Sequence, residues 1–134
     1  MVDQDVKIIE EIKIPEATIR LRDDGIVHVY YNDNTFLNVE LQMRLLEQFN
    51  KITKKKKMRF LFEAGKDFVV TKAARDNAII IEDQAPVLAS AVVAPNFAYR
   101  LIANFYIKVK RTKGEYKVVK NVEEGIKWLK SLTF

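Results

Sequence analysis

The stretch from Met58 to Ile81, MRFLFEAGKDFVVTKAARDNAIII, constrains the fold more than any other part of the chain. Its first residues, Met58 to Phe62, form a continuous apolar run, which is typical of a strand covered on both faces. A loop follows, and then Thr71, whose hydroxyl suits the N-cap of a helix. A second apolar run, Pro86 to Ala94, places its proline at the start, where a strand tolerates it. Strand, helix and strand predict a βαβ unit with two parallel inner strands and a right-handed crossover.

The first third of the chain predicts an antiparallel opening to this sheet. Residues 1–16 are expected to form an N-terminal arm or an edge strand, and residues 17–134 the domain itself. Thr18–Arg22 and Ile26–Asn32 flank Asp23-Asp24-Gly25, a pattern that predicts a hairpin. A helix should follow, capped by Asn38. Its buried face is predicted from apolar residues at helical spacing, namely Val39, Met43, Leu46, Phe49 and Ile52.

The last third predicts a helix, a strand and a further helix. The helix spans about Asn96 to Lys110, and the strand spans Tyr116 to Val119. The final helix begins with a capping box, in which Asn121 is the cap and Glu124 stands three residues on. The chain therefore predicts an α/β domain with a mixed five-stranded sheet and four helices.

Composition excludes several classes of protein. The chain has no cysteine, which excludes disulfides and thiolate chemistry, and no apolar run of about 18 residues that would cross a membrane. Its N-terminus is acidic and lacks the apolar core of a signal peptide, so we expect a cytoplasmic protein. His28 is the one histidine, and we expect it to be a surface or cross-strand residue. With four glycines and no phosphate-binding motif, the sequence predicts no enzyme, no cofactor and no metal site.

The order of elements, β β α β α β α β α, resembles that of the STAS domain, named for sulfate transporters and anti-sigma-factor antagonists. The resemblance is best in the stretch from Met58 to Ile81, where Gly65 and Phe68 fit the family pattern. Thr71 falls where the antagonists carry a phosphorylatable serine. Val70 and Ala73 depart from the pattern, which has Asp and Gly there. The chain also resembles the small bacterial STAS-like proteins described alongside CRAL-TRIO lipid-binding domains.

This resemblance implies a fold and a role for Thr71. The implied fold is a single STAS-like domain that opens with an antiparallel hairpin. The implied function is a bacterial regulatory module that binds a protein partner, with Thr71 as a phosphoacceptor at a helix N-terminus. The alternative for Thr71 is an ordinary helix cap.

The helix predicted from Asn96 carries a second apolar stripe beside its core face. Tyr99, Ala103 and Tyr106 recur at i, i+4 and i+7, and a surface helix normally keeps that part of its girth wet. We expect this stripe to lie at a homodimer contact or to line a ligand pocket. The second case gives the alternative function, a carrier or sensor of a lipid or another small apolar ligand. Core packing with tyrosines at the rim remains open.

Lysine and arginine concentrate in two connections that each lead from a helix into a strand. One contains Lys54, Lys55, Lys56 and Lys57, and the other contains Lys110, Arg111 and Lys113. If the strands are parallel, both connections lie at the same end of the sheet and form a basic rim. This rim predicts docking to an acidic protein or peripheral contact with an anionic membrane, and no nucleic acid, because no aromatic residues interrupt the lysines. Solvated loops are the alternative.

Overall fold

The fold is built from eight strands and three α-helices within residues 6–94, 96 and 114–134, which are the residues that the computed structural model describes. In chain order the elements are β1 (Ile8–Ile14), β2 (Ala17–Arg22), β3 (Ile26–Tyr31), β4 (Phe36–Leu37), α1 (Val39–Thr53), β5 (Met58–Ala64), β6 (Val69–Val70), α2 (Lys72–Ile80), a 3-10 helix (Glu82–Gln84), β7 (Val87–Val93), β8 (Glu115–Val119) and α3 (Val122–Ser131).

The main sheet has six strands in the order β1-β2-β3-β5-β7-β8. The first three are antiparallel neighbours, and β3, β5, β7 and β8 are parallel, so the predicted βαβ unit is confirmed. The predicted count of five strands is wrong, because β1 joins the edge of the sheet. Ile12 pairs with Ile19 and Ile14 with Ala17, and Pro15 sits in the tight turn to β2. Of the four predicted helices, the one from Asn96 to Lys110 lies outside the described residues except for Asn96.

Helix α1 covers one face of the sheet. Phe49 packs edge-on against Phe60 of the inner strand β5, with ring centroids 5.1 Å apart, and Leu41 and Leu45 are almost fully buried in the same cluster. The predicted buried face is wrong at Met43, which is 40% exposed. The apolar residues of this helix continue around to Leu41 and Leu45, and the core lies on that side.

Helix α3 covers the other face and lies very close to it. A Cβ atom added at Gly125 would stand 2.6 Å from Cδ1 of Leu61 and 3.2 Å from Cγ2 of Val119. Leu129 is fully buried in this second cluster, and Ile126 nearly so. The glycine therefore allows the helix to approach the strands, and the central strands of the sheet are buried between two helical layers.

The turn between β2 and β3 contains a buried ion pair, Arg22–Asp24, which is also in contact with Lys130 of α3. Arg22 donates to both carboxylate oxygens of Asp24, at 3.0 and 2.6 Å, and Nζ of Lys130 lies 3.2 Å from the same carboxylate. Burial alone would raise the pKa of Asp24. The hydrogen bonds and charge of Arg22, with Lys130 and the Ile26 amide, outweigh that effect and hold the pKa below its ordinary value.

The helix caps predicted from the sequence are confirmed. Asn38 accepts a hydrogen bond from the amide of Leu41 at 2.9 Å, and Asn121 accepts one from the amide of Glu124 at 2.8 Å. Thr71 caps α2. These caps fix where each helix begins. Asn38 directly follows β4, and Thr71 directly follows β6.

Candidate functional site

Two loops are interlocked where β3 and β5 end, at the C-terminal edge of the parallel strands. The carboxylate of Asp33 accepts a hydrogen bond from the amide of Lys66 at 2.7 Å, and the amide of Asn34 donates to the carbonyl of Lys66 at 2.7 Å. Gly65 makes this possible, because a Cβ there would stand 2.8 Å from the backbone nitrogen of Asp33 and closer still to its carboxylate. The glycine of the family pattern is thus needed for close approach of two backbones.

The same two loops continue into a second, two-stranded sheet. Strands β4 and β6 are parallel, with Phe36 opposite Val69 and Leu37 opposite Val70. The amide of Val69 donates to the carbonyl of Thr35, and the amide of Thr71 donates to the carbonyl of Leu37, each at 3.0 Å. This small sheet lies past the end of the main sheet and was not predicted from the sequence.

The small sheet is anchored to the core by an aromatic stack. Phe68 lies against Tyr31 with ring centroids 4.6 Å apart and an interplanar angle of 21°. Tyr31 is the last residue of β3 and is buried, and burial raises the pKa of its hydroxyl. The surface formed by the two loops is therefore held in place by the hydrogen bonds between the loops and by the packing of Phe68 on Tyr31.

The outer face of the small sheet exposes two large apolar side chains. Phe36 is 67% exposed, and Val69, directly across from it, is 45% exposed. We call Phe36 and Val69 the apolar pair. The pair was not predicted from the sequence, because a two-residue strand has no periodicity that a pattern could reveal. A signal was available in Phe36 itself, an aromatic residue in a polar loop, Asn32 to Asn38.

Thr71 lies immediately after the small sheet and caps α2. Its side-chain oxygen accepts a hydrogen bond from the amide of Ala74 at 3.1 Å. The guanidinium of Arg75 donates to the carbonyl of Val70 at 2.7 Å, so a cation lies within one helical turn of the cap. Thr71 is therefore the N-cap of α2, and its phosphorylation stays a prediction.

His28 has a partner that sequence analysis did not identify. Its Nε2 lies 2.9 Å from Oε1 of Glu63, and the two side chains are 17% and 29% exposed. In the register of β3 and β5, His28 stands opposite Leu61, and Glu63 is two residues further on the same face. The contact spans 35 residues, and only the strand pairing brings it together.

The first four lysines of the predicted basic rim lie at the opposite, N-terminal edge of the sheet. Lys54, Lys55, Lys56 and Lys57 form the exposed connection between α1 and β5. Lys110, Arg111 and Lys113 lie outside the described residues, so the second half of the rim stays a prediction. The same holds for Tyr99, Ala103 and Tyr106, and with them for the dimer contact and the carrier function.

Nothing in the described part of the chain forms a group of three or more His, Cys, Asp or Glu residues suited to a metal ion. A shallow cavity of about 190 Å³ lies near the basic connection, lined by Lys57, Glu82, Asp83, Val87, Leu88 and Gly114. Its charges are mixed, and the carboxylate of Glu82 accepts a hydrogen bond from the amide of Gly114 at 3.0 Å. None of the helices within the described ranges is long and apolar enough to cross a membrane.

Comparison with known proteins shows the fold and the family. An uncharacterised protein of the DUF3478 family from Shewanella loihica PV-4, described as having a SpoIIAA-like fold, matches with a TM-score of 0.55 and 13% identity, over 92% of this chain and 93% of that one. The fold is therefore SpoIIAA-like, or STAS-like, as the sequence resemblance implied. Residues 19–133 match the model of a family described as a domain of unknown function, DUF7793. The comparison with curated proteins found no match.

Proposed function

Since the chain belongs to the DUF7793 family, a domain of unknown function, we propose a function from the site itself: a non-enzymatic regulatory domain that binds another protein through the apolar pair. Phe36 and Val69 carry this proposal. Large apolar side chains that stay exposed and adjacent on a rigid support are typical of protein contact surfaces. Aromatic residues are the commonest anchors of such surfaces, so Phe36 is expected to contribute most.

The support beneath the apolar pair favours binding of a partner. The two loops are held by the Asp33–Lys66 and Asn34–Lys66 hydrogen bonds and by the Phe68–Tyr31 stack. A surface that is already ordered loses little conformational freedom when a partner arrives, and this favours affinity.

The polar groups of this edge support a binding function over catalysis. The carboxylate of Asp33 accepts from the amide of Lys66, and the Thr71 hydroxyl accepts from the amide of Ala74. Both groups therefore hold backbone in place. Among the described residues, no histidine and no carboxylate forms a hydrogen bond with the Thr71 hydroxyl. A nucleophilic hydroxyl would need such a base to activate it.

Thr71 gives the proposed surface a means of regulation. It lies two residues after Val69 and at the start of a helix, where unpaired amides and the helix dipole favour negative charge. A phosphate on Thr71 would add charge at the border of the apolar pair and alter the partner's contact.

A cytoplasmic bacterial location remains a prediction from the sequence.

A pair of double variants tests the proposed surface. Phe36→Ser with Val69→Ser removes the apolar pair, whose members are 67% and 45% exposed. Ile80→Ser with Met43→Ser is a matched control, because those side chains are 73% and 40% exposed and lie on α2 and α1. Proteins that co-purify with each tagged variant are quantified by mass spectrometry against the parent.

The proposal requires a partner that the parent and the control retain at similar levels and that the Phe36/Val69 variant loses at least about tenfold. Both variants should unfold at the parent's temperature within a few degrees, because all four side chains are exposed. Equal retention by the two variants, or greater loss by the control, would overturn the proposed surface.

A further inference from the structure

The connection between α1 and β5 places four consecutive lysines at the end of the sheet that lies opposite the apolar pair. Lys54, Lys55, Lys56 and Lys57, which we call the lysine turn, are all exposed. Within the described residues, none of their ammonium groups makes an ion pair. The strand β5 spans seven residues, so about 20 Å separates this turn from the other edge of the sheet. The two surfaces can therefore act separately.

The backbone of the lysine turn is fixed, and it is fixed in a conformation that lysine disfavours. Lys54 and Lys55 have φ values of 56° and 64°, in the left-handed region. Their amides donate to carbonyls of the last turn of α1, Lys55 to Asn50 at 2.9 Å and Lys54 to Lys51 at 3.3 Å. Glycine or asparagine is the usual choice at such a helix end, because a Cβ is strained there.

Lys54 and Lys55 are two successive lysines in the left-handed region, where backbone conformation would favour glycine. This indicates that the positive charge is the reason for lysine at these positions. A cation near a helix C-terminus does interact favourably with the helix dipole, but that effect fades within the last turn. It can account for Lys51 and Lys54 but not for Lys55, Lys56 and Lys57, which lie beyond the last turn of α1. Strained residues that persist on a well-fixed turn are a reasonable sign of function.

The chemistry of the turn identifies the kind of partner. The lysine turn itself contains no large apolar side chain. Phe134, which is 61% exposed, lies at the same end of the sheet, but its ring is held 5.0 Å from the guanidinium of Arg59. The exposed Ile8 and Ile9 at this end lie three strands away, on the edge strand β1. Domains that bind a lipid surface combine cations with apolar groups that enter it. A run of carboxylates needs only cations. We propose that the lysine turn binds a short acidic segment of a protein, one that presents consecutive Asp or Glu residues.

The test uses a labelled peptide of glutamate residues as the probe, with a glutamine peptide of the same length as the neutral control. Binding to the full chain is followed by fluorescence anisotropy at about 20 mM and about 200 mM salt, since salt screens such contacts. Lys55→Glu with Lys56→Glu is the test variant. Lys117→Glu with Lys127→Glu is the matched control, because both residues are exposed and the change in net charge is the same.

The proposal expects the parent to bind the glutamate peptide more weakly at high salt, the test variant to lose about tenfold or more, and the control variant to lose less than about threefold. Equal losses in the two variants would show that only net charge matters and would overturn it. Failure of the parent to bind the peptide, including the case in which it binds phosphatidylglycerol vesicles instead, would also overturn it.

A second variant remains informative if charge reversal disturbs folding. Lys54→Gly with Lys55→Gly removes two charges and relieves the left-handed strain, so the melting temperature should rise while peptide affinity falls severalfold. A purely structural role would not separate the two readouts in this way. A variant that is more stable and binds the peptide as tightly as the parent would contradict the proposal.

Discussion

Replacing Gly65 by alanine should destabilise the domain more than any other single methyl group added to this edge. The new Cβ would lie 2.8 Å from the backbone nitrogen of Asp33 and 3.1 Å from the carbonyl carbon of Asn32, and nearer still to the Asp33 carboxylate. The carboxylate can rotate away only by giving up its 2.7 Å hydrogen bond with the amide of Lys66. Overpacking and loss of a charged hydrogen bond together predict a loss of about 2 to 4 kcal/mol in the free energy of unfolding.

Urea unfolding followed by the fluorescence of Trp128 measures this loss. Gly114→Ala is the control, because the nearest atom to its added Cβ is 3.6 Å away, and it should change the stability by less than about 0.5 kcal/mol. In an Asp33→Ala background, Gly65→Ala should cost less than in the parent, since the carboxylate is gone. A Gly65→Ala protein within about 0.5 kcal/mol of the parent, or equal costs in the two backgrounds, would refute the interlocked loops.

Three further predictions concern single contacts. Thr71→Ala should lose about 1 kcal/mol of stability and Thr71→Ser should keep it, whereas equal stability of all three proteins would contradict the cap. The pKa of Asp24 is lowered in the folded state, so its contribution is present above its unfolded pKa and is lost as the pH falls below about 4; Asp24→Asn should remove that part of the acid dependence of the melting temperature, and an unchanged pH profile would count against it. A double-mutant cycle of His28→Ala and Glu63→Ala at neutral pH should give a coupling of about 1 kcal/mol, and additive losses would show that the hydrogen bond contributes nothing.

Features of this fold that depend on neighbouring residues in the chain could be read from the sequence. The caps at Asn38, Thr71 and Asn121 were predicted because an N-cap and its amide partner lie three residues apart. The inner strand β5 was predicted because its apolar run is continuous. Both signals are local, and both are confirmed in the structure.

Features that depend on distant residues could not be read in this way. The prediction for residues 1–16 left an arm and an edge strand open, since only pairing with β2 makes β1 a strand. Phe36 and Val69 are 33 residues apart in the chain and meet only because β4 and β6 pair. The choice of Met43 over Leu45 failed because the phase of a helix on its core depends on the packed neighbours, which periodicity does not reveal.

The most direct test of the proposed function is photo-crosslinking from the apolar pair in living cells. A photoreactive phenylalanine analogue replaces Phe36 in one variant and Ile80 in a control variant, since these two residues are 67% and 73% exposed. Position 36 should give a discrete crosslinked protein that is absent or much weaker from position 80. Crosslinks of equal strength from both positions, or from position 80 alone, would contradict the claim that this edge of the sheet is the surface that binds the partner.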